Sequence, residues 1–284
     1  QGHKVTVIDN LRTGKKENLE SMKEKIIFVK GDILDDKLLN ETIRDVDGVF
    51  HQAALASVQD SFSKPDEYNE VNVNGTENIL KLAKKNNFKV VYASSSSVYG
   101  NPERIPIKET DAKNPFNPYA ETKLQDEELA IKYADLGSQI IGLRYFNVFG
   151  KRQSKEYAGV IKLFLDQIKN KQSPIVNGDG TQFRDFVHVS DVVNANILSM
   201  TSNVKHAFFN VGTNSSITIL DLAKTIIDAS GLALEPKFRS ALEGDVDQTL
   251  SDISSISKEI GWKPTIKLED WLKTIITTEE IDEV

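Results

Sequence analysis

The chain has 284 residues, 39% of them apolar and 27% charged, with a formal net charge of −7 and no cysteine. That length and apolar content suffice for one large domain or two interleaved ones with a buried core. The acidic balance argues against a broad nucleic-acid surface; the lack of cysteine excludes disulfides, thiolate metal sites and cysteine nucleophiles; and no run approaches the roughly 18 apolar residues that span a bilayer. No signal-peptide pattern opens the chain, so a reducing cytoplasm is the expected setting, with no metal, nucleic-acid or membrane partner.

The first stretch, QGHKVTVIDN, is a β-branched strand that ends on Asp9 and gives way to NLRTG. It reads as the second strand of a dinucleotide-binding unit, where such an acid would hold an adenosine ribose. Short apolar runs then alternate with helical stretches. KIIFVKGDI, GVFHQAA, KVVYASSSS and QIIGLRYFNVFG read as strands, each as one element. DDKLLNETIRDV, PDEYNEVNVNGTENILKLAKKN and NPYAETKLQDEELAIKYADLG carry apolar residues at helical spacing. Strand and helix in alternation predict a doubly wound parallel α/β sheet covered on both faces.

After Gly150 the rhythm loosens. A helix around VIKLFLDQIKN, a turn at NGDG, a short strand FVHV and a helix opened by the Ser-Asp cap of SDVVNANILSM are expected, then a strand AFFNVG, a helix near ITILDLAKTIIDASG and two short helices. This half reads as a smaller lobe. The expected division is 1–150 plus roughly 186–212 for a cofactor domain, with 151–185 and 213–284 forming a substrate lobe. The acidic end TTEEIDEV reads as a solvated terminus.

The strongest local feature is SSSSVYG followed by PYAETK. Of seven tyrosines only Tyr119 has a lysine, Lys123, four residues later. On a helix the two share a face, so the ammonium sits near the phenol. A free phenol ionises near pH 10, and a nearby cation favours the phenolate, which makes a useful base. A packed tyrosine beside an exposed lysine is the plainer alternative. Ser95 lies at the end of a predicted strand, where a parallel sheet places its ligands.

SSSSVYG, NPYAETK, LRYFNVFGKRQ and GDGTQFRDFVHVSDVV, in that order across essentially the whole chain, resemble the extended short-chain dehydrogenase/reductase family, specifically its UDP-glucose/UDP-N-acetylglucosamine 4-epimerases. The resemblance implies a Rossmann-type NAD domain, a UDP-sugar substrate and a catalytic triad of Ser95, Tyr119 and Lys123. It also implies a homodimer through the helices containing NVNGTENILKLA and AETKLQDEELAIKY. Asp9 and Asn10 would meet the adenosine ribose, with NAD favoured over NADP because a carboxylate repels a 2′-phosphate; Arg12 weakens that preference. Asp32 and Ile33 match the adenine contact, and Gln52, Ala53 and Ala54 the loop beneath the pyrophosphate. Asn72 resembles a residue that ties this region together near the cofactor, with an interior hydrogen-bonding asparagine as the alternative, and Phe146 of YFNVFG is implied as a further cofactor contact. On the substrate side, Asn147 and Arg184 resemble the diphosphate contacts, with an Arg184–Asp185 pair as the alternative for the arginine. Val160 and Val176 match the uracil pocket, though either could be core.

The chain departs from that family in four ways. Ser96 and Ser97 stand where related dehydratases carry an Asp-Glu pair, which argues against a 4,6-dehydratase. Leu242 occupies the place of a second phosphate-binding arginine, for which Arg239 could substitute. Thr249, four residues after Asp245, is small where a tyrosine restricts relatives to plain hexoses, so N-acetylated UDP-hexoses are expected as substrates. Lastly, no two of the sixteen glycines lie three apart, so the GxxGxxG phosphate loop and the strand before it are missing from this sequence. Gln1 cannot be an initiator residue, and the chain reads as a fragment, a processed product or an incompletely recorded sequence.

Overall fold

The structure is a computed structural model that describes residues 2–153, 159–241, 246–278 and 280–284. Its first half runs β1 (Val5–Asp9), β2 (Ile26–Lys30), α1 (Asp36–Ile43), β3 (Gly48–His51), α2 (Val58–Ser63), α3 (Pro65–Tyr68), α4 (Gly75–Asn86), β4 (Lys89–Ser95), α5 (Pro118–Asp135) and β5 (Ile140–Tyr145). The second half continues with β6 (Asn147–Phe149), α6 (Val160–Lys169), β7 (Ile175–Asn177), β8 (Phe183–Arg184), β9 (Phe186–His188), α7 (Val189–Thr201) and β10 (His206–Val211). It closes with β11 (Ile217–Thr218), α8 (Ile219–Ser230), β12 (Lys237–Arg239), α9 (Ser254–Ile260) and α10 (Leu268–Thr277).

The main sheet is parallel, in the order β10-β5-β4-β3, and β1 pairs in parallel with β2. In a doubly wound parallel sheet of order 3-2-1-4-5, β2 and β1 correspond to the third and second strands and β3 and β4 to the fourth and fifth. The first position, between β1 and β3, has no counterpart among the described residues. Alternation along β4 accounts for the doubly covered sheet. Val90 and Tyr92 pack with α1, α4 and α5 through Leu39, Leu80 and Ala130. Val91, on the opposite face, packs with Val192 and Ala195 of α7 and with Trp262. A separate core lies in the second half of the chain, where Phe164 and Leu165 of α6 meet Leu222 and Ile226 of α8 and Leu272 of α10.

Helix ends follow local chemistry. Asn117 caps α5, its Oδ1 accepting from the Ala120 amide at 2.8 Å, and Pro118 occupies the first turn, where its missing N–H costs nothing. Thr218 caps α8 in the same way, at 3.0 Å from the Asp221 amide.

Three expectations change. QIIGLRYFNVFG is not one strand: the chain leaves the main sheet at Phe146, and β6 pairs with β9 instead. The stretch 65–86 is helical throughout but carries a wider π turn at Asn69–Asn74. The cap of α7 is His188 rather than Ser190 and Asp191. Strand β9 runs straight into the helix, so Ser190 falls inside the first turn and its amide donates to His188 Nδ1 at 3.2 Å. Among the described residues no helix is long and apolar enough to cross a membrane.

Candidate active site

Parallel strands present their carboxyl ends to one edge of the sheet, and most of the candidate residues lie there. Asp9 ends β1; Asp32 follows β2; Gln52, Ala53 and Ala54 follow β3; Ser95 ends β4; Phe146 and Asn147 follow β5. Asp9 Oδ1 accepts the Leu11 amide at 2.6 Å, and Asn10 Nδ2 donates to Asp32 Oδ2 at 2.9 Å, which links the turn after β1 to the turn after β2. Arg12 pairs with Glu67 of α3 at 2.6 Å. Ile33 is buried in the core with Leu39 and Ile79, whereas Asp32 closes the turn by accepting the Leu34 amide at 3.0 Å.

The loop after β3 is held from beneath. Asn72, fully buried on the π turn, accepts the Leu55 amide at 2.7 Å and donates to the Leu55 carbonyl at 3.0 Å and to Thr122 Oγ1 at 3.0 Å. Both readings of Asn72 meet here, since an interior asparagine is what ties the loop to α5. Gln52 donates to Asn196 at 3.1 Å and accepts from the Tyr145 hydroxyl at 3.2 Å. An acid at the end of β1 for ribose hydroxyls, a second after β2 toward the adenine, and small side chains at Ala53 and Ala54 for close backbone approach suit a dinucleotide.

Tyr119 and Lys123 occupy successive turns of α5, as the spacing predicts. Tyr119 is half-buried, while Lys123 is buried and its Nζ donates to the Ala93 carbonyl of β4 at 3.1 Å. The Tyr-Lys helix is therefore tied to the strand that carries Ser95, two residues beyond Ala93. The Ser95 hydroxyl accepts the Ser97 amide at 3.2 Å and the Ser97 hydroxyl at 2.9 Å. With its lone pairs so engaged, its own proton is left to donate. Gly100 makes the exit from this turn possible: at φ +60°, a Cβ there would lie 1.9 Å from the Asn114 carbonyl oxygen.

Beyond β5, Asn147 Nδ2 donates to Thr249 Oγ1 at 3.3 Å and to the Asp185 carbonyl at 3.1 Å, bringing two of the predicted substrate residues together. The Arg184 guanidinium bonds to the carbonyls of Phe183, Val246 and Asp247. The Asp185 carboxylate turns to Thr213, Asn214 and Ser251 instead. A cleft of about 520 Å³ opens beside this loop, lined by Asn177, Asp179, Phe183, Ala241, Val246 and Gln248. Arg239 bonds to Asn177 at its edge. Val176 is fully buried in the core with α6 and α8, the packing alternative of its two readings, and Val160 is half-buried against the same core. Leu242 and Asp245 lie outside the described residues.

Sequence reasoning passed over the layer beneath the Tyr-Lys pair. Lys123 also donates to Asp126 Oδ2 at 3.1 Å. Beside Asp126 stands Thr76 of α4, bonded to His51 Nε2 at 2.9 Å. Burial raises the Asp126 carboxyl to about 6, against the pull of Lys123. Burial also pushes His51 down to about 3, and the Lys123 charge adds to it. A charged residue three positions after the lysine was the signal available, since that spacing returns to the same helix face.

Comparison with known proteins identifies the family. The family model described as the NAD dependent epimerase/dehydratase family matches residues 1–212. A protein of Methanocaldococcus jannaschii, provisionally named a UDP-glucose 4-epimerase, is 40% identical over 96% of this chain and 89% of its own length. A UDP-N-acetyl-alpha-D-glucosaminuronate decarboxylase of Bacillus cytotoxicus is 32% identical over 97% of this chain and 90% of its own. Among solved structures, a UDP-N-acetylglucosamine 4-epimerase from Methanobrevibacter ruminantium, in complex with UDP-N-acetylmuramic acid, superposes with a TM-score of 0.91 at 38% identity. That match covers 98% of this chain and 91% of the other. With a family model over most of its length and relatives of this similarity, the chain belongs to the NAD-dependent epimerase/dehydratase family.

Proposed function

We propose that the protein is an NAD-dependent 4-epimerase of UDP-hexoses, acting on UDP-glucose and UDP-galactose and on their N-acetylated counterparts through a 4-keto sugar. The observation that carries this reading is the 3.1 Å bond from Lys123 to Ala93, which ties the Tyr119–Lys123 face of α5 to the strand ending in Ser95. Bound NAD supplies the hydride acceptor for C4 and the hydride donor for the return step. Tyr119 as phenolate takes the proton of the 4-hydroxyl while C4 gives up its hydride. Ser95 donates a hydrogen bond to the 4-oxygen. After the keto sugar turns over, Tyr119 returns the proton as hydride reaches the other face of C4. Lys123 holds the nicotinamide ribose, Asp9 and Asn10 the adenosine ribose, and Arg184, with Arg239 in support, the diphosphate.

The cofactor lobe in this reading is 1–150 with 186–212, and the substrate lobe 151–185 with 213–284. The working form is a homodimer joined through α4 and α5, where Ile131 of α5 and Leu136, just past its end, are exposed. Its setting is the reducing cytoplasm that a cysteine-free chain suits. A uronate-directed reaction of the same site is the second reading, supported by the similarity to the glucosaminuronate decarboxylase.

The test is to incubate the protein with NAD and UDP-glucose, UDP-N-acetylglucosamine or UDP-glucuronate and to follow the C4 epimer by NMR, with Tyr119→Phe as control. Epimers of both hexoses, abolished in the control, are expected. Turnover of UDP-glucose alone would remove the role given to Thr249. No epimer from either hexose would end the proposal, and turnover of the uronate alone would establish the second reading.

A further inference from the structure

Asp126 is a carboxylate where the helix has no need of one. Its side chain is 0% exposed and that of Lys123 4%. One carboxylate oxygen receives the Lys123 ammonium at 3.1 Å, and the other, Oδ1, is buried with no hydrogen-bond partner. A carboxylate in such a place is strongly disfavoured unless a cation answers it. The groups around it leave that task to Lys123. Glu127 on the same helix repels it, Tyr92 of β4 faces it as a neutral phenol whose ionisation it opposes, Thr76 of α4 offers a hydroxyl, and His51 of β3 is held neutral.

The ammonium has three hydrogens. Ala93 and Asp126 take two of them, from β4 and from the next turn of α5, which sets the direction of the third. We propose that Asp126 is a positioning residue of the reaction: with the Ala93 carbonyl it fixes the Lys123 ammonium and reserves its third hydrogen for the nicotinamide ribose. The inference rests on the role given above to Lys123 and Tyr119. It makes the pair a three-residue unit, in which Asp126 touches neither substrate nor cofactor.

The protonation state of Asp126 then decides whether Lys123 is held. Above about pH 6 the carboxylate is charged and the ammonium fixed; below it the proton neutralises the carboxyl and the ammonium loses one of its two anchors.

The first measurement needs no cofactor. In the full chain labelled with 13Cε-lysine, and with the Lys123 signal assigned through Lys123→Arg, that signal should step with a midpoint near pH 6. The step should vanish in Asp126→Asn. A signal flat from pH 5 to 8 in the unsubstituted protein overturns the pairing, and this reading survives even where Asp126→Asn fails to fold. The second measurement is kinetic. Asp126→Asn should lower kcat roughly tenfold while leaving the KM of the UDP-sugar within about twofold, with Asp126→Glu recovering part of the loss. A step in the NMR titration together with an unchanged kcat overturns the positioning role. The two proposals fail separately: full activity in Tyr119→Phe ends the epimerase reading, whereas an inactive Tyr119→Phe beside a fully active Asp126→Asn ends only this one.

Discussion

Replacing Glu127 by Gln should unfold the protein at distinctly lower denaturant, because Glu127 answers a cation that has no access to water. Its two oxygens accept from Arg144 Nε at 2.7 Å and Nη2 at 2.8 Å, and the Ser94 hydroxyl donates to it at 2.7 Å. Both charged side chains are 1% exposed. Burial works against the Arg144 charge, yet the bonds from Glu127 hold its ionisation above the ordinary range. Gln keeps the shape and removes the charge, which leaves a buried guanidinium facing an amide.

Breaking one side of a buried pair costs about 3–5 kcal/mol, in line with about 4 kcal/mol for unit charges 4 Å apart at an effective dielectric constant of 20. Urea unfolding followed by fluorescence reads this directly, since Trp262 is fully buried in the main core. In a cycle with Arg144→Met, the double variant should be less destabilised than the two single changes added together, by about 2–3 kcal/mol. A loss below about 1 kcal/mol in Glu127→Gln would refute the reasoning, because it would mean the pair is hydrated in solution.

Two further perturbations follow from buried or strained positions. His51, driven by burial and then by Lys123 from 6.5 to about 3, is neutral in the fold and takes up a proton below 6.5 when unfolded. The His51 contribution to stability is therefore complete above pH 6.5 and falls toward pH 3, by about 2 kcal/mol at pH 5 at a slope near 1.4 kcal/mol per pH unit, while Asp126, whose carboxyl burial raises to about 6, contributes in the opposite direction below that pH. Urea midpoints at pH 7.5 and 5 should differ less in His51→Gln, and an equal drop in both proteins would locate the effect elsewhere. Gly100→Ala should cost about 3 kcal/mol or more and depress kcat, because the new methyl collides with the Asn114 carbonyl at a positive φ just beyond the serine turn. A thermal midpoint within about 1 °C of the parent would show that this turn yields freely.

The sheet and the Tyr-Lys pair were legible because both rest on short periods. Val90, Val91 and Tyr92 alternate faces, and Tyr119 and Lys123 recur after one helical turn, so spacing alone puts them where they are found. The break at Phe146 was not legible. Residues on both sides are β-formers, and what separates them is a change of partner: Tyr145 runs beside Val211, while Asn147 runs beside Phe186. Long-range pairing leaves no mark on local propensity. Asp126 was hidden for a related reason. A charged residue on a helix normally reads as solvated, and only tertiary packing of α5 against β4 and α4 turns it inward.

The single residue between β5 and β6 acts as a covalent ruler. Tyr145 belongs to the main sheet and Asn147 to the pairing with β9, beside Asp185 and Thr249, so the chain holds the two within about 7 Å of each other. Any inserted residue would reverse the face that Asn147 presents, because strand side chains alternate with a period of two. Alignment between the two halves of the site is thus written into chain length at Phe146, and insertions there should be the least tolerated of any along this edge.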